Sequence, residues 1–316
     1  MDASVRIGIS SCLLGNNVRW NGGHQLDRYL AQTLGQFVEF VPVCPETECG
    51  LGIPRETMHL SGHPDNPRLV TSRTNEDKTD QMQRWAKERL KALAKEDLCG
   101  FIFKTKSPSS GMRGLRVFAS KTQIFYNGVG IFARMFMDRF PRIPVEDDGR
   151  LHDPGIRENF IERIFTLRRW RDVVRGKPTL GKLVDFHTRH KLLILSHSQK
   201  HYRAMGPLVA AGKSLPSAEL FDQYEGILLE TLALKTTVKK QINVLMHILG
   251  YFKANLSADE KQEMLEIIDR YRNGFVPLVV PVTLINHYVR KYDQPYLKQQ
   301  VYLDPHPVAL KLRNHV

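Results

Sequence analysis

Residues 98–114, "LCGFIFKTKSPSSGMRG", join a short apolar run to a turn that is rich in hydroxyl groups. The run "GFIFK" (100–104) has the length and composition of a buried strand. The turn after it carries Ser107, Ser109 and Ser110, with glycines and basic side chains around them. Ligands in α/β folds bind beyond the carboxyl ends of the strands, so these serines are candidate site residues.

Two more apolar runs, "VRIGIS" (5–10) and "FVEFVPV" (37–43), are bounded by turn-forming residues and predict further strands. Residues 75–98 have apolar side chains at helical spacing and predict a helix. Strands that alternate with helices indicate a Rossmann-like α/β fold with a mostly parallel sheet.

Each of the three strands is followed by a loop with reactive or polar side chains. These loops are "SCLLGNNVRWNGGH" (11–24), "CPETECGLGIPRE" (44–56) and "TKSPSSGMRG" (105–114). Because the carboxyl ends of parallel strands share one edge of the sheet, we expect the three loops to meet in one pocket.

The second half of the chain reads as helices. A stretch rich in turn formers (144–159) marks the end of the sheet region. Helical patterns then cover residues 160–174, 183–212, 220–256 and 257–274, and the last begins with a capping box of Ser257 and Glu260. We therefore predict an α/β domain over residues 1–172 and a mainly α-helical domain over residues 173–316.

The positive charge is concentrated in this second half. Of the net charge of +13, residues 151–316 contribute +9, and the stretch 161–203 alone contributes +8. A basic stripe of this kind is the usual electrostatic footprint of a phosphate-backbone partner, which favours RNA binding. The alternative is a solvated basic surface without a partner.

No apolar run reaches the roughly 18–20 residues that a membrane helix needs. The N-terminus lacks the pattern of a signal peptide, so we expect a cytoplasmic protein without a membrane partner. Nothing in the sequence indicates a protein partner. Disulfides are then unexpected, and the four cysteines are candidates for metal binding, catalysis or burial. Burial suits Cys99, which lies inside an apolar run.

Cys12 and Cys44 each stand at or just beyond the end of a predicted strand. Two thiolates that reach one pocket from separate loops suggest a soft metal or an iron–sulfur site. Cys49 follows Cys44 with four residues between them. At this spacing the two cysteines can bind one metal together, or the spacing is a coincidence.

The three loops resemble the signatures of the thiouracil desulfidase family of iron–sulfur enzymes. The stretches that carry the resemblance are "SSCLLGNNVRWNGG", "PVCPETECGLGIPRE" and "KTKSPSSGMRG". The helical part, with "FHTRHKLLILSHSQKHYRAMG" and the C-terminal "QPYLKQQVYLDPHPVALKLRNHV", is similar to a domain often fused to that family. The two-domain arrangement resembles that of bacterial tRNA 4-thiouridine desulfidases.

The resemblance implies a 4Fe–4S cluster held by three cysteines. Cys12 and Cys44 match the first two, and Ser110 stands where the family has its third cysteine. Glu46 and Ser107 match the family's functional glutamate and serine. An iron without a protein ligand would bind and polarise the substrate's sulfur, while Glu46 exchanges protons and Ser107 supports it.

Serine is a harder ligand than cysteine and has a much higher pKa, so the cluster would be held incompletely or be absent in this chain. Two interpretations of Ser110 stay open: an engineered inactive variant, and a natural variant in which Cys49 supplies the third thiolate. Apart from the family, Glu46 also suits the first turn of a helix, and Ser107 suits a plain turn.

Six basic residues are candidates for holding RNA phosphates. Lys104, Lys106 and Arg113 flank the serine turn, and Arg189, Lys200 and Arg203 fall on one face of the predicted helix 183–212. Each of them singly also fits an ordinary surface charge.

On the opposite face of that helix lie His187, His190, His197 and His201. We consider three roles for them: packing between helices with satisfied hydrogen bonds, lining an RNA groove, and binding a metal.

Three functions are compatible with the sequence. The first is a desulfidase that converts 4-thiouridine in tRNA to uridine, with catalysis in the α/β domain and RNA binding in the basic domain. The second is a non-catalytic RNA-binding protein with a decayed cluster site, which Ser110 favours. The third is a desulfidase of free thiolated pyrimidines, which the basic second half disfavours because a free base has no phosphates.

Overall fold

The computed structural model describes residues 4–120 and 122–315 and divides into two compact units. The first ends at Asp153 and the second begins at Pro154. The sequence analysis placed this boundary after residue 172 instead. The difference arises because the helix Pro154–Val174 buries Leu167 and Trp170 in the core of the helical unit.

The first unit contains two sheets built from eight described strands. These are β1 (Val5–Ser10), β2 (Val38–Val43), β3 (Met58–His63), β4 (Asn66–Thr71), β5 (Gly100–Phe103), β6 (Leu115–Phe118), β7 (Ile124–Gly128) and β8 (Val145–Asp147). The first sheet has the order β2-β1-β5-β8 and is parallel throughout. All the residues of β5 and most of those of β1 are buried, as expected of central parallel strands.

The parallel register brings the three predicted loops to one edge of the first sheet. Ser10 at the end of β1 pairs with Val43 at the end of β2, and Ile9 pairs with Ile102 near the end of β5. The chain therefore leaves all three strands at the same level, as the sequence analysis predicted.

The second sheet has the order β4-β3-β6-β7 and is mixed, with hairpin pairings at both edges. Three helices accompany the sheets: α1 (Pro45–Glu48), α2 (Thr79–Leu93) and α3 (Ile131–Arg139). Phe101 and Phe103 of β5 stack on each other and pack with Phe132 and Phe136 of α3. This aromatic core anchors α3 directly behind the serine turn.

The second unit is helical. Its helices are α4 (Pro154–Val174), α5 (Leu180–His197), α6 (Gln199–Ala210), α7 (Ser217–Ala233), α8 (Val238–Gly250), α9 (Ala258–Arg272), α10 (Val279–Lys291) and α11 (Pro295–Lys298). The capping box predicted at Ser257 and Glu260 is present at the start of α9. A large apolar cluster of the unit contains Trp170 and Tyr224, both fully buried.

One predicted helix is interrupted. The pattern over residues 183–212 is divided between α5 and α6 by Ser198, which has an extended backbone and whose side chain accepts a hydrogen bond from the N–H of His201. Ser198 is thus the N-cap of a new helix. The predicted fold class, an α/β unit followed by a helical unit, is confirmed.

Candidate functional site

A cavity of about 490 Å³ opens at the carboxyl edge of the first sheet, where the three loops meet. Five of the six residues predicted for the cluster, for catalysis or for the alternative thiolate line it: Cys12, Cys44, Glu46, Ser107 and Ser110. Residues that are nearly one hundred positions apart in the sequence therefore share one space, because parallel strands deliver them to one edge.

Short local structures fix the first two loops. Cys12 lies in a 3-10 helix (Ser11–Leu14) that directly follows β1 and is buried. Cys44 is the N-cap of α1, and its backbone N–H donates to the Glu48 carboxylate at 2.8 Å. Pro45 occupies the first helical position, where its missing N–H costs nothing. Glu46 follows in the first turn of α1.

The serine turn is held by backbone hydrogen bonds to the start of α3. The carbonyl of Ser109 accepts from the N–H of Phe132 at 3.0 Å, and the N–H of Gly130 donates to Gly111 at 2.7 Å. A side chain at Gly130 would place its Cβ 2.6 Å from the carbonyl of Ser109. Only glycine permits this approach, so the turn and α3 are closely packed.

Glu46 is the centre of a hydrogen-bond network in the cavity. Its Oε1 accepts from the Ser109 hydroxyl at 2.8 Å and from the Ser107 hydroxyl at 3.3 Å. The two hydroxyls lie 3.0 Å apart, and the Ser107 hydroxyl also accepts from the N–H of Ser110. One carboxylate oxygen of Glu46 is therefore bonded to two serine hydroxyls, and all three residues line the cavity.

The other oxygen of Glu46 is held by Arg55, a residue that the sequence analysis did not select. The guanidinium donates to Oε2 through Nε at 3.0 Å and Nη2 at 2.5 Å. Its side chain is only 6% exposed, and it also donates to the carbonyls of Val18 and Gly52. Arg55 therefore fixes Glu46 and ties together the first and second loops.

The two thiols differ in their surroundings. Burial raises the pKa of Cys12 to about 11, and the nearby ammonium of Lys104 opposes this effect. The sulfur of Cys44 lies 3.2 Å from the Thr47 hydroxyl and 3.7 Å from the carbonyl of Val18. A bound metal would be needed to hold the buried Cys12 as a thiolate at neutral pH.

The donors present do not fit a cluster held by three thiolates. Cys12 and Cys44 supply two thiols, and the third position is the buried hydroxyl of Ser110. Across residues 4–120 and 122–315, no group of three histidine, cysteine or acidic side chains is placed to hold a metal ion. A serine hydroxyl is a poor ligand for iron–sulfur chemistry.

The other two cysteines lie outside the residues that line the cavity. Cys49 packs beside the apolar cluster of the second sheet, its thiol is directed at the carbonyl of Glu46 at 3.4 Å, and burial raises its pKa to about 11. This position disfavours Cys49 as the third ligand. Cys99 is fully buried, as expected.

The three basic residues near the serine turn have different environments. Lys104 lines the cavity and pairs with Asp148 at 2.6 Å. Arg113 pairs with Glu146 at 2.9 Å and is not among the residues lining the cavity. Lys106 is exposed at the cavity, and the described residues contain no carboxylate within ion-pair distance of it. Lys106 is therefore better placed than the other two to meet a phosphate.

The four histidines of the second unit are divided between two helices. His187, His190 and His197 are buried on α5, whereas His201 lies on α6 beyond the break at Ser198. The Nδ1 of His187 is 3.1 Å from the Tyr224 hydroxyl, and His190 stacks on Phe186. These contacts are those of core packing.

The last two histidines also have partners within the unit. His197 bonds to the carbonyl of Leu234 and to Glu162, and His201 lies between Ser198 and Glu230. Among the described residues the four do not form a metal site.

The basic residues that the sequence analysis placed opposite the histidines are exposed. Arg189 pairs with Asp185 one helical turn away at 3.7 Å, whereas Lys200 and Arg203 lie on α6. No described helix is long and apolar enough to span a membrane.

Two family models match this chain. Residues 7–148 match the model described as 2-thiouracil desulfurase, and residues 191–307 match a protein family of unknown function, DUF1722. The first match contains all three loops of the cavity.

Two similar proteins each cover about half of this chain. The uncharacterized protein YbgA of Escherichia coli (strain K12) is 35% identical over 153 residues, which are 48% of this chain and 90% of YbgA. A solved structure of the [4Fe-4S]-dependent thiouracil desulfidase TudS is 25% identical, with a TM-score of 0.40, over 48% of this chain and 97% of TudS. Residues 7–148 thus belong to the thiouracil desulfidase family, and a DUF1722 domain follows them in the same chain.

Proposed function

We propose that this chain has the scaffold of a cytoplasmic tRNA desulfidase that converts 4-thiouridine to uridine, and that Ser110 leaves it without its iron–sulfur cofactor. The observation that carries the proposal is the cavity itself, which Cys12, Cys44 and the family's third ligand position line together with Glu46. A cysteine at residue 110 would complete the three-thiolate set that a 4Fe–4S cluster requires.

The overall reaction replaces a C=S bond by a C=O bond. Water adds to the ring carbon, and the sulfur leaves as hydrogen sulfide, so no oxidant or reductant is consumed. A base is needed to take a proton from the water, and a proton must be returned to the departing sulfur. The Oε1 of Glu46 is suited to both transfers because it faces the cavity and is bonded to hydroxyls that can relay protons.

Arg55, Ser107 and Ser109 support this role. Arg55 occupies the other carboxylate oxygen, so Glu46 cannot rotate away from the cavity. The hydroxyls of Ser107 and Ser109 fix the orientation of Oε1. Pre-organised groups of this kind avoid reorganisation during the reaction.

The basic helical unit supports tRNA as the substrate class. The stretch 161–203 has a net charge of +8, which suits the phosphates of a nucleic acid. A free base has no phosphates for this charge to bind. Arg189, Lys200 and Arg203 are exposed and available to such a partner.

Ser110 favours a second candidate, a non-catalytic RNA-binding protein that has kept the fold. In that case Glu46 and its hydrogen-bond partners would be remnants of an ancestral catalytic site, and tRNA binding would be the only activity.

Anaerobic reconstitution of the unmodified chain and of Ser110→Cys separates these candidates. We expect Ser110→Cys to bind iron and sulfide with the visible spectrum of a 4Fe–4S cluster, and to release sulfide from tRNA that contains 4-thiouridine. The unmodified chain should do neither to a comparable extent. Cys49→Ser in the Ser110→Cys background is the matched control and should leave both properties unchanged.

If the Ser110→Cys chain takes up the cluster and binds tRNA but leaves 4-thiouridine intact, the desulfidase proposal is wrong. If the unmodified chain binds the cluster as well as Ser110→Cys does, then residue 110 is not a ligand position.

A further inference from the structure

The two faces of the second sheet differ in what covers them. One face packs against α2 and α3 in an apolar cluster of Leu60, Leu69, Met82, Leu115, Val117 and Ile131. Because successive side chains of a strand point to opposite faces, the residues that alternate with these leucines and Val117 point away from the helices. We call that side the outer face of the second sheet.

The strand register places the side chains of the outer face in two neighbouring rows. In the first row, Ser61 of β3 pairs with Arg68 of β4 and with Phe118 of β6, and Phe118 pairs with Ile124 of β7. The second row lies two residues further along three of these strands and contains His59, Arg116 and Tyr126. The outer face therefore extends across all four strands.

Aromatic rings are concentrated on this face. Tyr126 is 64% exposed, more than any other large hydrophobic side chain among the described residues of the first unit. The rings of His59 and Phe118 contact each other edge to face, with centroids 5.4 Å apart. Exposed aromatic groups that lie together mark an interaction surface, since large apolar side chains normally avoid water.

The charge of the outer face is positive. Its two rows contain Arg68 and Arg116 and, among the described residues, no carboxylate. The guanidinium of Arg116 lies 5.9 Å from the centre of the Tyr126 ring and pairs with no described carboxylate, whereas that of Arg68 lies 3.8 Å from Asp77. An uncharged partner would leave these cations without a counter-ion. RNA supplies both bases for the rings and phosphates for the arginines.

The outer face begins at the wall of the cavity. Thr57 and Met58 line the cavity, Met58 is the first residue of β3, and His59 of the outer face follows it directly. An RNA strand with one nucleotide in the cavity would therefore have its neighbouring nucleotides beside the outer face.

We propose that the outer face of the second sheet binds single-stranded RNA, with bases stacked on Tyr126 and Phe118 and phosphates bound by Arg116 and Arg68. The inference rests on the proposed function and adds a surface for the nucleotides that adjoin the one in the cavity. A four-stranded sheet that presents aromatic side chains from neighbouring strands is a common means of binding unpaired bases.

Photochemical cross-linking of the unmodified chain locates the RNA on the protein without any catalysis. The probe is an oligouridylate about ten nucleotides long in which 5-iodouridine replaces uridine. Under near-ultraviolet light, 5-iodouridine cross-links to aromatic side chains on which it is stacked. Mass spectrometry of the digested complex should place cross-links at Tyr126 or Phe118.

Affinity for the same oligouridylate, without iodine and measured by fluorescence anisotropy, gives the size of the effect. We expect Tyr126→Ala to weaken binding at least about fivefold, and Tyr126→Phe, which keeps the ring, to stay within about twofold. Arg116→Gln should weaken binding and reduce the log–log dependence on salt by about 0.7. Phe275→Ala is the matched control, because Phe275 is a 77% exposed aromatic residue of the second unit, and it should leave affinity unchanged.

Cross-links that include neither Tyr126 nor Phe118 would overturn the proposal, as would equal affinity of the unmodified chain and Tyr126→Ala. A shift in oligomeric state without a change in RNA affinity would also overturn it and would identify the outer face as a contact between copies of this chain. Circular dichroism checks that Tyr126→Ala is folded. If it is not, the cross-linking of the unmodified chain and the Arg116→Gln variant decide the question.

The inference and the proposed function can fail separately. RNA binding that depends on Tyr126, together with an inactive Ser110→Cys chain, would contradict the desulfidase function and leave this inference standing. An active Ser110→Cys chain whose kcat/KM on tRNA is unchanged by Tyr126→Ala would do the reverse.

Discussion

Each unit of the protein contains a buried arginine that holds carboxylates, and the two sites differ in one respect. Arg55 binds Glu46 in the first unit, and Arg313 binds Glu158 and Glu162 in the second. Both guanidinium groups are nearly inaccessible to solvent. Glu46, however, lines a cavity of about 490 Å³, and its other oxygen is bonded to serine hydroxyls that line the same cavity.

The Arg313 cluster is buried, since the side chains of Arg313, Glu158 and Glu162 are all less than 10% exposed. The second oxygen of Glu162 is bonded to His197, and Arg313 also donates to the carbonyl of Tyr302 at 2.7 Å. These ion pairs and hydrogen bonds join Arg313 to α4 and to Tyr302, so they hold the C-terminal segment in the helical core. Glu46 borders a cavity, whereas Glu158 and Glu162 are buried, and this difference makes Glu46 the functional candidate.

The largest effect is expected from Glu46→Gln in the Ser110→Cys background. Glutamine keeps the shape but cannot act as a base, so activity on 4-thiouridine in tRNA should fall by about 10²- to 10⁴-fold. The iron content and the visible spectrum should not change. Glu88→Gln, at an exposed position of α2, is the control and should retain activity. Near-normal turnover by Glu46→Gln would remove this carboxylate from the mechanism.

The same substitution should mainly reduce stability at Arg313 and mainly reduce activity at Arg55. Arg313→Gln leaves two buried carboxylates without their cation and should lower the free energy of unfolding by about 3–5 kcal/mol. Arg55→Gln should cost less stability, because Glu46 borders the cavity, but should reduce the activity of the Ser110→Cys form. Urea denaturation and sulfide release, measured on both variants, give the comparison. Equal stability losses in the two variants would show that the open cavity does not stabilise an unpaired Glu46 carboxylate.

The buried histidines should make the helical unit sensitive to acid. Burial lowers the pKa of His187 from its ordinary value of 6.5 to about 4, so between these values the unfolded chain binds a proton that the folded chain does not. Stability is therefore lost as the pH falls through this window. His187→Gln should reduce that loss by at most about 1.4 kcal/mol per pH unit, the limit for one titrating group.

Trp170 reports on the unfolding of this unit when Trp20 and Trp85 are replaced by Phe, because the chain has three tryptophans. In that background, His24→Gln, an exposed position of the first unit, should leave the slope unchanged. An unaltered pH dependence in His187→Gln would mean that His187 is not the proton-binding group.

The smallest effect per residue is expected at the surface of the helical unit. Charge reversal of Arg189, Lys200 and Arg203 together should weaken tRNA binding by about tenfold or more and make it less dependent on salt, since each lost phosphate contact reduces the log–log slope by about 0.7–0.9. Filter binding over a range of salt concentrations measures both. The melting temperature should not change, because all three side chains are exposed. An unchanged affinity would place the RNA elsewhere.

The sequence was most informative where a pattern depends on neighbouring residues. The runs at 5–10 and 100–104 are apolar and bounded by turn-forming residues, so both were recognisable as strands. Their predicted ends agree with those of β1 and β5 to within one residue. The second sheet was not predicted, because β3 and β4 mix polar, glycine and proline residues and depend on pairing with each other.

Contacts between distant residues were less predictable. The apolar period of residues 183–212 continues through Ser198, so the start of α6 follows only from the capping hydrogen bond. Arg55 was part of a quoted motif, yet nothing local shows that its guanidinium bonds to Glu46 nine positions earlier. The boundary at Asp153 likewise depends on which core buries α4.

The close packing of Gly130 against the serine turn has an evolutionary consequence. The turn is held by main-chain bonds to α3, and serine and cysteine at residue 110 differ by one atom. Several serine codons differ from a cysteine codon by a single nucleotide. With residue 110 as the third ligand position, as proposed above, a single mutational step would separate a chain that holds the cofactor from one that does not.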